Sequence, residues 1–80
     1  MTKTEFDMLL DKAAAGDTGA MRGMAMICFQ MAEGGMNNND IKAATMYMEL
    51  GNGWKAASEN GLKNAGQVKT FTKEAFNGCF

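Results

Sequence analysis

Residues 16–53 read GDTGAMRGMAMICFQMAEGGMNNNDIKAATMYMELGNG, and the reading of this stretch decides the fold. Glycine accepts the left-handed backbone that closes a helix, and Asn or Asp offers a side-chain oxygen to the first free N–H groups of the next. Gly34-Gly35 followed by Asn37-Asn38-Asn39-Asp40 therefore predicts a stop and then a start. Upstream, Thr18–Glu33 is apolar nearly all round: Ala20, Met21, Met24, Ala25, Ile27, Cys28, Met31 and Ala32 leave only a narrow polar seam of Arg22, Gln30 and Glu33. Such a helix is covered on several sides and serves as a hub. Gly19 and Gly23, four apart on it, are expected to admit a close helix crossing.

Working toward the N-terminus, Thr2-Lys3-Thr4-Glu5 has the spacing of a capping box. Phe6, Leu9, Leu10, Ala13 and Ala14 then form the single apolar stripe of an amphipathic helix. Gly16 closes it, and Asp17 or Thr18 caps the hub.

Toward the C-terminus, a third helix is predicted from about Asp40 to Leu50. Ile41, Ala44 and Met48 make one apolar row, and Ala43, Tyr47 and Leu50 a second. Gly51-Asn52-Gly53 reads as its end. A fourth amphipathic pattern, from Trp54 toward Gly66, contains the turn signal Asn60-Gly61. The last pattern (Val68, Phe71, Thr72, Ala75, Phe76, Cys79) fits a helix, while the β-branched alternation of QVKTFT leaves a strand as its rival. The fold class is thus all-α: four to five short helices in antiparallel hairpins, within one small domain.

Composition excludes several functions. The 80 residues carry a net charge of −1, so no basic field exists to attract nucleic acid or anionic lipid. Four cations face seven acids in residues 1–52, and four lysines face two acids beyond, a mild polarity typical of a solvated surface. No apolar run approaches the roughly 20 residues needed to span a bilayer, and the opening MTKTEFD lacks the apolar core of a signal peptide. A cytoplasmic location is the expectation, with Cys28 and Cys79 as reduced thiols. The absence of histidine removes Ser-His and Cys-His nucleophile pairs, imidazole metal ligands and the usual general base. Cys28, on an apolar helix without a base, reads as an inert thiol. No enzyme, cofactor or metal is predicted.

Nine methionines among 80 residues require an account. Core filling at helical spacing is the plainest, an adaptable binding groove comes next, and a soft Cu(I) thioether site is the remote third. Trp54, directly after a glycine turn, reads as a hairpin anchor, with an exposed hot spot as the alternative.

An offset of 37 residues places Gly16 on Gly53, Ala20 on Ala57 and Leu9-Leu10 on Met46-Tyr47. Periods of this size mark helical-hairpin arrays. With that echo in view, LLDKAAAGDTGAMRGMA (9–25) and GGMNNNDIKAATMYMELGNGWKAA (34–57) resemble the Sel1-like repeat, a relative of the tetratricopeptide repeat. Gly16, Ala20 and Met24-Ala25 fill the first half of the pattern, and Gly35-Met36, Asp40, Lys42-Ala43 and Tyr47-Met48 the second. The resemblance implies tetratricopeptide-like packing and protein–protein scaffolding, with no catalytic residues.

The expected function is accordingly a non-catalytic protein-interaction module, an adaptor or a small stand-alone inhibitor that binds and blocks a larger complex. A structural homo-oligomer, such as a homodimer burying a Met-rich face, and a small metal or ligand binder are the alternatives. The candidate partner-binding surface follows the same offset. Arg22, Met26, Gln30 and Glu33 share one helix edge, and the repeat would bring Glu59 and Lys63 to the same side.

Overall fold

The computed structural model describes residues 1–61 and 65–79. Four helices follow in order: α1 (Lys3–Ala14), α2 (Thr18–Asn37), α3 (Ile41–Asn60) and α4 (Ala65–Phe76). No strand occurs among the described residues, and the QVKTFT segment lies within α4. The chain is all-α, as its periodicity predicts.

Local chemistry sets the helix starts. At α1 the Thr2 hydroxyl accepts from Glu5 N while the Glu5 carboxylate accepts from Thr2 N, at 3.1 and 3.2 Å. These contacts hold the Glu5 carboxyl below its usual value. Asp17 caps α2 by accepting from Ala20 N, and Asp40 caps α3 by accepting from Ala43 N. The ends are equally local. Gly16, at φ 111°, turns α1 into α2, and Gly61, at φ 88°, closes α3 at the Asn60-Gly61 signal.

Two predicted breaks are absent. The pair Gly34-Gly35 lies inside α2, which runs four residues past Glu33 to Asn37 before Asn39, at φ 58°, reverses the chain. Likewise, Gly51-Asn52-Gly53 lies inside α3, fusing the predicted third and fourth helices into one of 20 residues. In both places glycine serves packing instead of termination. A β-carbon on Gly35 would lie 3.0 Å from the Ala44 nitrogen, so its absence lets the two long helices pinch together at their shared turn. One on Gly51 would lie 2.6 Å from the ring of Phe29. The close approaches expected at Gly19 and Gly23 are correspondingly milder: Gly19 faces only its own Asp17 cap, and Gly23 meets the Leu9 side chain of α1 at ordinary contact distance.

The contacts Gly35–Ala44 and Phe29–Gly51 run in opposite residue order, so α2 and α3 form an antiparallel hairpin. Short turns at 15–17 and 38–40 dictate the same up-and-down course. Helix α4 then returns along α3 and closes onto α1. Each helix packs on two others, α1 on α2, α2 on α3, α3 on α4 and α4 on α1. The hub is therefore the α2–α3 pair and not α2 alone.

The core fills the centre of this ring with Phe6, Leu10, Met21, Met24, Cys28, Tyr47, Leu50, Trp54 and Phe76, among others. Phe76 links three helices, its ring centroid lying 4.7 Å from that of Phe6 and 5.3 Å from that of Tyr47. Trp54 is completely buried, as an anchor and not an exposed hot spot, although it sits in mid-helix and not after a turn. Its Nε1 donates to Thr72 Oγ1 at 3.0 Å, and that hydroxyl donates to the Val68 carbonyl at 2.7 Å. No buried side-chain N or O atom among the described residues lacks a partner. Lys69 pairs with Asp11 at 3.0 Å across the outer α1–α4 seam.

Candidate protein-binding surface

The predicted edge on α2 exists as an edge. Arg22, Met26, Gln30 and Glu33 are all exposed, and their spacing sets them along one side of a single helix. Glu59 is exposed in the last turn of α3, and Lys63 lies outside the described residues. The repeat that grouped Glu59 and Lys63 with that edge does not hold as geometry. Gly16 is a turn residue with positive φ, whereas its supposed equivalent Gly53 is in mid-helix.

A different surface emerges from helix lengths. Helices α2 and α3 have 20 residues each and α1 and α4 have 12. At 1.5 Å per residue, about 12 Å of the long hairpin extends past its short partners. Because α1 is tied to the start of α2 and α4 runs beside the later turns of α3, the uncovered part of α3 is the tip before Tyr47, whose hydroxyl and ring meet Ala75 and Phe76 of α4. The apolar row read on the third helix starts there, at Ile41. Ile41 is 65% exposed, Met36 58% and Met48 40%, around a shallow hollow of about 270 Å³.

A second hollow lies on the other flank of α3. It is a groove of about 370 Å³ between α3 and α4, floored by Met46, Leu50, Val68 and Phe71. Phe71 is 49% exposed and Met46 40%. Glu49 borders both hollows and Glu74 borders the second. The plain assignment of methionine to core filling thus holds for Met21 and Met24, with Met31 half-buried, while the other six are exposed. Sequence reasoning missed this face although it identified the rows, because periodicity shows which residues align and not which row a neighbour covers.

The remaining chemistry is quiet. Burial pushes the Cys28 thiol up to about 12, so it stays protonated at neutral pH and lacks the thiolate that nucleophilic or metal-binding cysteines require. Burial, followed by the contact with Cys79, pushes the Tyr47 hydroxyl up to about 12 as well. That hydroxyl donates to the Ala75 carbonyl at 2.9 Å, and Cys79 Sγ lies 3.9 Å away. Both cysteines are free, Cys28 buried and Cys79 exposed. Among the described residues no group of His, Cys, Asp or Glu is arranged to hold a metal ion, and no helix is long and apolar enough to cross a membrane. No family model matches the chain, and no curated protein or solved structure matches it either.

Proposed function

We propose that this chain is a non-catalytic protein-binding module, an adaptor or small inhibitor that occupies a surface of a larger protein complex. The observation carrying this reading is the apolar groove between α3 and α4, where Met46 and Phe71 are exposed beside Leu50 and Val68; Met36, Ile41 and Met48 form a separate exposed patch on the other flank of α3. Extended apolar patches on small proteins commonly mark interaction sites, and unbranched methionines re-pack around whatever shape they meet. The α2 edge of Arg22, Met26, Gln30 and Glu33 is the rival contact surface within the same function.

Affinity capture from native lysate with matched variants tests the reading. Met46→Glu combined with Phe71→Glu should lose the captured partner while the circular-dichroism melt stays near wild type, and Arg22→Glu should retain it. The reverse pattern moves the contact to the α2 edge. A structural homo-oligomer draws on the same exposed apolar residues and is the second reading. Sedimentation from micromolar to millimolar concentration separates the two, because a monomer throughout excludes the oligomer.

A further inference from the structure

We propose that the groove between α3 and α4 receives a cationic amphipathic helix of a partner protein. The inference rests on the protein-binding reading above and adds the chemistry of what is bound. On α3, Met46, Glu49, Leu50 and Gly53 recur at i, i+3, i+4 and i+7 along the groove, and on α4 Val68, Phe71 and Ala75 recur at i, i+3 and i+7. Two antiparallel helices that present such rows side by side leave the furrow into which the ridge of a third helix fits. On α3 the groove runs from Met46 to Gly53, about 11 Å at 1.5 Å per residue, or about two turns of a docked helix.

The charges around the groove favour a cationic occupant. Its charged lining residues are Glu49 and Glu74, both exposed and without an ion-pair partner among the described residues. Of the α4 lysines, Lys69 is engaged by Asp11, and Lys73 lines a neighbouring cleft with Lys3 and Asp7, a cleft that Glu74 also borders, so Glu49 is the carboxylate that belongs to the groove and not to that cleft. An incoming helix with an apolar stripe flanked by Lys or Arg would bury the stripe on Met46, Leu50, Val68 and Phe71 and pair its flanks with the two carboxylates. A second copy of this chain fits less well. Two-fold pairing through the groove brings four carboxylates to one apolar seam, and like charges in that position oppose association.

The test is a methyl NMR titration of the full chain, with methionine methyls as reporters. Two synthetic peptides of about 14 residues serve as probes, sharing a Leu/Phe stripe at i, i+3/i+4 and i+7. One carries lysines on the flanks and its twin carries glutamates. The lysine peptide is expected to shift Met46 while Met8, Met26 and Met48 stay fixed. It should bind about fivefold more tightly than its twin, the preference that two exposed ion pairs supply. Salt should narrow the gap. The paired substitution Glu49→Lys with Glu74→Lys should reverse the preference, with the thermal melt confirming the fold.

Equal binding of the two peptides overturns the cationic partner but leaves an apolar binding face. Shifts centred on Met26 overturn the site. If neither peptide binds while Phe71→Glu abolishes a concentration-dependent dimer, the occupant is a second copy and the proposal fails. If neither peptide binds yet a lysate partner is lost with Met46→Glu and Phe71→Glu, the proposal fails and the protein-binding reading stands.

Discussion

The ring of Phe29 on α2 occupies the place where a side chain on Gly51 of α3 would begin: a β-carbon there would lie 2.6 Å from Cε1 and 2.7 Å from Cδ1. This contact locks the two long helices at mid-length and explains why a glycine persists inside α3. Gly51→Ala gains helix propensity yet overpacks the crossing, so a net loss of about 1 kcal/mol is expected in urea unfolding. Phe29→Leu in the same chain should recover part of it, giving a favourable coupling in the double-mutant cycle. Additive effects would show that the ring simply swings aside.

The same substitution should have the opposite sign at Gly23. A β-carbon there would meet the Leu9 side chain at 3.7 Å, an ordinary contact. Gly23→Ala is therefore expected to raise stability by about 0.5–1 kcal/mol through helix propensity alone. Gly23→Leu places three further carbons against Leu9 and should lower it by about 1–3 kcal/mol. A raised melting temperature for the leucine variant would show that α1 is not held at this crossing.

Thr72 is fully buried and accepts the indole N–H of Trp54. Thr72→Val keeps the volume and removes the acceptor, leaving a buried donor unpaired at a cost of about 1–3 kcal/mol. Thr72→Ser keeps the hydroxyl and should lose less. The ordering of the two variants in denaturant midpoint is the readout, and serine falling below valine would assign the effect to packing.

Alkaline pH should weaken the fold through Cys28 and Tyr47. Burial raises the Cys28 thiol from 9.0 to about 12 and the Tyr47 hydroxyl from 10.0 to about 12. The unfolded chain therefore releases these protons first, so their contribution is complete below pH 9.0 and is lost as pH rises toward about 12. Urea midpoints followed upward from neutral pH should begin to fall past 9.0. Cys28→Ala should flatten the first part of that decline and Tyr47→Phe the part beginning near 10.0.

The caps and closing turns were legible in the sequence because each is made by residues within a few positions of one another. Thr2 with Glu5, Asp17 with Ala20, Asp40 with Ala43, and the positive-φ glycines Gly16 and Gly61 need no tertiary partner to do their work. The apolar rows were legible for the same reason, since helical periodicity is local.

What Gly35 and Gly51 do could be decided only by the opposite helix. A glycine that ends a helix and a glycine that admits a neighbour look alike in one dimension, and the difference lies in Ala44 and Phe29, which reach them across the hairpin. The candidate surface has the same origin. Ile41 and Met48 belong to a row as apolar as that of Tyr47 and Leu50; Ile41 stays exposed at the tip that the 12-residue α4 does not reach, and Met48 stays exposed because it points away from α4, which meets its neighbour Tyr47. By itself the sequence determined the helical periodicity and the capped starts of α1, α2 and α3, because those depend on neighbours along the chain. Which apolar face is sealed and which is left for a partner was decided by the tertiary structure, because covering a face takes a second helix of sufficient length.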